Sequence, residues 1–423
     1  MRALDATPAG IPFRSMSLNT YPDIENTDWR ARAAAVIPGG ASTGSKRPEA
    51  LFGADTGSAP AHYLSAHGCT IEAVDGSEII DCTMALGSVA LGYGDASVSE
   101  AVMRAASDGN VCGFSSLHEI VIAERLCEVI PCAEKVRFLK TGAEAVAAAV
   151  RIARTVTGRD TVLGAGYFGW LDWCQTQPGV PAGAHGDFRS IPFDDTAALE
   201  REAGDAAHAL AAIVIEPVVE RLASPEWIAA ARRACDAHGA VLIFDEMKTG
   251  FRLRTGGYQA FANVTPDLAC FGKAMANGFP LAAVVGRDSV MDAAERSWIS
   301  STLASEAVAL AAVGAVLDAH EAEDVCASLW QIGEEMRSAV GRAITASRVR
   351  GVTVEGIPPM WFLRFDEAER ERRFLELALA AGVLFKRGAY NFAALAHDQD
   401  ALLRIEAAAS DALVQLRDEE NPR

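Results

Sequence analysis

The amino-acid sequence predicts an α/β fold, with a mostly parallel central sheet in a large domain joined to a smaller α+β domain. Three observations predict it. Short apolar runs within Val162–Gly166, Leu210–Val218 and Val241–Phe244 have the near-continuous hydrophobicity of strands buried on both faces. Helical stretches after Lys140 and over Trp227–His238 alternate with these runs, as parallel strands require. A chain of 423 residues, 50% hydrophobic, suffices for one large core and one smaller one. The expected division is an N-terminal arm plus part of the small domain over 1–80, the large domain over 81–315 and the remaining small domain over 316–423.

Taken in order, residues 1 to about 25 are rich in Pro, Ser, Thr and Asn and predict an arm. Trp29–Val36 predicts a short helix ending at Pro38-Gly-Gly, and the following polar loop carries the adjacent cations Lys46 and Arg47. Cys69–Asp81 alternates and turns at Asp75-Gly76, the pattern of an antiparallel hairpin. His118–Ile130 has helical periodicity and Val136–Leu139 that of a short strand. Thr141-Gly142-Ala143 then opens an Ala-rich helix, so unpaired backbone N–H groups and a positive dipole end face whatever lies beyond the strand. That suits a phosphate, while Thr141 alone also satisfies the simpler role of an N-cap.

The strand after it ends in Tyr167-Phe168-Gly169-Trp170, followed by a lid-like stretch over 174–187. Leu210–Val218 carries Glu216-Pro217 near its end, Val241–Phe244 ends at Asp245, and Leu268–Phe271 is followed by Lys273. Ile299-Ser-Ser-Thr-Leu precedes a long small-residue helix, Ala304–Glu321, that leads into the second domain.

Composition excludes several function classes. With 38 Lys and Arg against 56 Asp and Glu, the net charge of −18 argues against a nucleic-acid or anionic-membrane partner. Nine scattered cysteines with no C-x-x-C pair fit reduced thiols, with neither a disulfide framework nor a metal site. The N-terminus has no long apolar run, so a cytoplasmic protein is expected.

Asp245 and Lys273 explain one another. A carboxylate at the end of a buried strand needs a cationic partner, and a lysine among apolar neighbours is more easily a neutral amine able to form a Schiff base. Pyridoxal phosphate (PLP) supplies what both need, since its aldehyde takes the amine and its pyridinium nitrogen takes the carboxylate. Met247, two residues beyond Asp245, lies on the same strand face if the strand continues and packs under that ring.

The segments DEMKTGFR (245–252), PDL (266–268) and FGKAMANGFPLAAVVGR (271–287) resemble the signature of class III PLP-dependent aminotransferases, and most closely that of the glutamate-1-semialdehyde aminomutase-like branch. The resemblance runs from the PGG loop to the C-terminal AALAH segment. It implies PLP-dependent transferase fold type I and a homodimer with shared active sites. It makes Lys273 the Schiff-base lysine, Asp245 the pyridinium partner, Met247 the ring-backing residue and Tyr167 the residue stacked on the open ring face. Thr141, Gly142 and Ala143 become the phosphate turn, although the family's second hydroxyl is absent there, and Glu216 a group beside the cofactor. Thr302 becomes the threonine that reaches the partner subunit's cofactor phosphate. Lys46, with Arg47 beside it, falls where the aminomutases hold the substrate carboxylate with arginine.

The activity so implied is transfer of an amino group from an amine or amino-acid donor to a keto or aldehyde acceptor, with pyridoxamine 5'-phosphate as the intermediate cofactor form, in a biosynthetic pathway. An intramolecular aminomutase and a racemase or epimerase are the alternatives. The short lid and Lys46 speak against the aminomutase.

Overall fold

The structure, a computed structural model, describes residues 28–53 and 59–420, so the predicted arm lies outside the described residues. After the predicted helix Trp29–Val36 and the short helix Pro48–Phe52 come three strands, β1 (Tyr63–His67), β2 (Thr70–Ala73) and β3 (Glu78–Asp81), the last two forming the predicted hairpin. Seven strands form the central sheet: β4 (Lys135–Leu139), β5 (Thr161–Ala165), β6 (Phe188–Ser190), β7 (Leu210–Ile215), β8 (Val241–Asp245), β9 (Leu268–Phe271) and β10 (Ala282–Gly286). Four more follow, β11 (Val352–Ile357), β12 (Met360–Phe365), β13 (Val383–Leu384) and β14 (Asn391–Phe392).

The central sheet has the order β4-β10-β9-β8-β7-β5-β6. All its strands run parallel except β10, which is antiparallel to both neighbours. Side chains alternate across it. Val241, Ile243, Leu268 and Cys270 pack on one face with the helix α1 (Gly142–Thr157), while Leu242, Phe244, Ala269 and Phe271 join the larger core on the other. Both faces being covered, the strands must be apolar at every position, which is the pattern the sequence shows. Each fully buried Leu, Ile or Phe here stabilises by roughly 1.5–3 kcal/mol. A charge at Ile243 would therefore break the sheet on its α1 side.

Segments far apart in the sequence share a second sheet, because β13 joins β1, β2 and β3 by pairing parallel to β3. The long helix α2 (Ala307–Ala322), capped by the Glu306 side chain on the amides of Val308 and Ala309, leads into it. Buried Arg252, from the GFR of the signature, crosses between the parts of the chain: its guanidinium donates to the carbonyls of Gly87, Pro359 and Ala393. No helix among the described residues is long and apolar enough to cross a membrane.

Candidate active site

Because β10 is the only reversed strand of the sheet, one edge collects the carboxyl ends of β4, β9, β8, β7 and β5 and the amino end of β10. Ligands of open α/β sheets bind at such an edge. A cavity of about 430 Å³ opens there, lined by residues that include Thr141, Gly142, Ala143, Tyr167, Glu216, Asp245, Met247, Lys248 and Lys273. Strand register brings the central pair together: Asp245 lies opposite Cys270 on parallel β9, and Lys273 follows at the end of that strand.

Asp245 is 3% exposed and accepts the Met247 amide on Oδ1 at 3.0 Å. Burial, and then the nearby Glu216 carboxylate, push its carboxyl up from the ordinary range. A cation in the cavity would reverse that shift. Lys273 has no hydrogen bond or ion pair among the described residues. Burial first, and then the charge of Lys248, push its ammonium below the usual lysine range, so its neutral amine is accessible at lower pH. Its backbone sits at φ +50°, a left-handed conformation that costs a non-glycine residue about 1–2 kcal/mol.

The turn at Thr141 opens a helix as the spacing predicts, with one refinement. The Thr141 hydroxyl accepts the Glu144 amide at 3.2 Å and lies 3.1 Å from the Glu144 carboxylate, which in turn accepts the Thr141 amide. This is a capping box, so the hydroxyl is engaged within the helix end. The amides of Gly142 and Ala143, in the first turn of a 16-residue helix, have no acceptor within it and are left for an anion. The cradle also needs its glycines. A Cβ on Gly142 would lie 2.9 Å from Met247 Sδ, and one on Gly272 would lie 2.8 Å from the same sulfur. Met247 is thus wedged between the anion turn and the Lys273 segment, forming a floor. A phosphorylated pyridinium aldehyde fits this set: amides for its phosphate, Asp245 for its ring nitrogen, Lys273 for its aldehyde.

Eight of the predicted site residues come together in this cavity and three do not. Thr302 is exposed in the segment before α2. Lys46 lines a different cavity, beside β1, β2 and β3, and Arg47 turns back to the carbonyls of Pro38 and Ala41. Neither Lys46 nor Arg47 thus lines the cavity that holds Asp245 and Lys273.

Sequence reasoning missed four residues. Lys248 pairs with Glu216 at 2.5 Å, and Lys140, at the end of β4, pairs with Glu306 at 2.7 Å. Asn277 accepts the amides of Ala90 and Leu91 and donates to the Gly92 carbonyl, fastening that loop to the Lys273 segment. Tyr390 comes from the C-terminal part of the chain, and the Lys248 ammonium lies 4.8 Å from its ring centre. A charge inside an otherwise buried signature was the one available signal for Lys248.

The family model for Aminotransferase class-III matches residues 53–167 and 175–396. The chain belongs to the class III aminotransferases. The aminotransferase is 30% identical to a 3-aminobutyryl-CoA aminotransferase of Cloacimonas acidaminovorans, over 80% of this chain and 82% of that protein. It is 33% identical to a 2'-deamino-2'-hydroxyneamine transaminase of Streptomyces kanamyceticus, over 83% and 88%. It is also 30% identical to a glutamate-1-semialdehyde 2,1-aminomutase of Polynucleobacter necessarius, over 91% and 97%. Among solved structures, the FumI protein of Sphingopyxis sp. MTA144 superposes with a TM-score of 0.89 at 25% identity, covering 94% of this chain and 98% of that one. The enzyme is thus a PLP-dependent aminotransferase of fold type I, acting on a small-molecule amino donor and acceptor.

Proposed function

We propose that this aminotransferase moves an amino group between two separate molecules, an amine or amino-acid donor and a keto or aldehyde acceptor, with Lys273 as its covalent lysine. The observation that carries the reading is the unpaired Lys273 amine beside Asp245 in one cavity, at the ends of adjacent strands. PLP, when bound, supplies an electron sink for the carbon that bears the amino group. Asp245 would hold the ring nitrogen charged, Met247 would back the ring, and the Gly142 and Ala143 amides would hold the phosphate. The Lys273 amine would serve as the base that moves the proton to and from the reacting carbon. Glu216 fixes the Tyr167 amide at 3.1 Å and so orients the aromatic side chain that covers the open face of the ring.

We further propose a cytoplasmic homodimer that divides its chain into a large domain at 81–315 and a small domain from the two ends. Support comes from an apolar surface: Phe114 is 89% exposed and Trp298 87%, with Leu117 and Leu303 also exposed. The Asn110 carbonyl and side chain accept the amides of Ala307 and Val308, so these two stretches lie side by side. A second copy covering this surface would bring Thr302 to its partner's cofactor phosphate. The described pocket offers a substrate carboxylate no arginine, and its lysines other than Lys273 are both paired. Recognition of the substrate body therefore falls to the mouth and to the second subunit.

The test is the visible spectrum of the purified holoenzyme against a panel of single amines, glutamate and alanine included. One donor should bleach the cofactor band stably and a keto acid should restore it, with Lys273→Ala inert. A band that persists while solvent deuterium enters the substrate would instead indicate a racemase. Conversion of one substrate with no second molecule required would indicate an aminomutase.

A further inference from the structure

Lys248 has no assigned part in the reaction, yet it lines the cavity beside Asp245 and Lys273. Its ammonium is largely buried, pairs with Glu216 at 2.5 Å and faces the Tyr390 ring at 4.8 Å. Each contact leads to a different part of the molecule. Glu216 follows β7 and holds the Tyr167 amide beyond β5. Tyr390 belongs to the segment between β13 and β14, and its hydroxyl accepts the Glu220 amide at 2.5 Å. Lys248 itself follows Asp245 at the end of β8. One cation thus joins the ends of three neighbouring strands to the C-terminal part of the chain.

The charge pattern gives this joint a chemical meaning. Two carboxylates, Glu216 and Asp245, line the cavity. Two buried carboxylates near one cofactor would share its positive charge and repel each other. We propose that Lys248 is a positioning residue of the amino-transfer reaction: by neutralising Glu216 it leaves Asp245 as the one uncompensated carboxylate in the cavity, and so sets how tightly Lys273 holds its proton. The proposal rests on the roles given above to Asp245 and Lys273. The direction of the effect follows from Coulomb's law, because the groups facing Lys273 are Lys248 and Arg252, which disfavour its proton, and Asp245 and Glu216, which favour it. Around Lys248 stand Glu216, Asp245, Lys273 and the Tyr390 hydroxyl.

The experiment is a pH titration of the cofactor's visible band in the holoenzyme, for wild type, Lys248→Met, Glu216→Gln, the double variant and Lys248→Arg. Lys248→Met leaves Glu216 unpaired, so the midpoint should rise by roughly one pH unit. Glu216→Gln leaves the Lys248 charge unopposed, so the midpoint should fall by a similar amount. The double variant should return close to wild type, and Lys248→Arg should stay within a few tenths of a unit. The pH profile of kcat/KM should shift with the spectra, with a loss of about 10- to 100-fold at neutral pH for Lys248→Met. Shifts of the two single variants in the same direction, no shift at all, or a double variant no closer to wild type than the singles would overturn the proposal and leave Lys248 a packing residue. If Lys248→Met does not fold, Glu216→Gln and the double variant decide alone. A wild-type band that survives in Lys273→Ala would instead overturn the assignment of Lys273, which is read separately.

Discussion

The floor and the mouth of the cavity are built in opposite ways. At the floor, Asp245, Met247 and Glu216 are all under a tenth exposed, and each is held by a backbone bond, an ion pair or a glycine-tight contact. At the mouth, Tyr167 is 67% and Trp170 73% exposed, and the stretch over 175–187 holds only a short helix, Ala182–His185. Residues at the sheet edge are thus held in one arrangement by the sheet itself, whereas those at the mouth stand open to solvent with few partners of their own.

Four measurements test that contrast. The largest effect belongs to the floor: Asp245→Asn removes the charge proposed to face the ring nitrogen, and kcat should fall on the order of a thousandfold with the fold intact by circular dichroism. A loss below about tenfold would mean that the ring nitrogen is not held there.

Behind the floor, His320 tests the cost of burial. Its Nδ1 meets the Thr255 hydroxyl at 3.0 Å, its Nε2 has no partner among the described residues, and burial pushes its pKa down to about 4. An imidazole whose folded pKa lies below its unfolded value stabilises fully above the unfolded pKa, near 6.5, and that contribution is lost as pH falls toward 4. Denaturant unfolding at pH 7 and pH 5 should show a drop of about 2 kcal/mol that His320→Gln lacks. Equal slopes for the two proteins would refute it.

The anion turn comes next. A side chain at position 142 collides with Met247, so Gly142→Val should weaken cofactor retention on dialysis by roughly tenfold, about 1.4 kcal/mol. Retention equal to wild type would place the phosphate elsewhere. The smallest effect belongs to the mouth: Trp170→Ala should raise KM for the productive donor a few-fold, leave kcat within about twofold, and change stability by under about 0.5 kcal/mol.

What the sequence disclosed follows the same division. Strand ends were legible because β8 and β9 are apolar at every position up to Asp245 and Lys273, and register then does the rest. The hairpin at Asp75-Gly76 and the turn at Gly142 were legible for a similar reason, since local chemistry settles both. Lys248 with Glu216 and Lys140 with Glu306 were not, because ion pairs between residues distant in the chain leave no periodic trace. Where Lys46 and Arg47 face was not legible for the converse reason. A pair of cations in a loop has no periodicity to say which way it faces, and here the Arg47 guanidinium turns back onto the loop's own carbonyls.

The buried guanidinium of Arg252 has a consequence for how the chain is made. A ribosome that has released residues 1–315 has already delivered every strand end of the cavity. Two of the three carbonyls that receive Arg252, those of Pro359 and Ala393, have yet to be synthesised, as has β13, the strand that completes the sheet beginning at Tyr63. Until the last tenth of the polypeptide emerges, that arginine lacks two of its three acceptors and the sheet beginning at Tyr63 lacks its fourth strand. Shortening the gene from its 3' end would therefore silence catalysis far from any codon that specifies a reacting group.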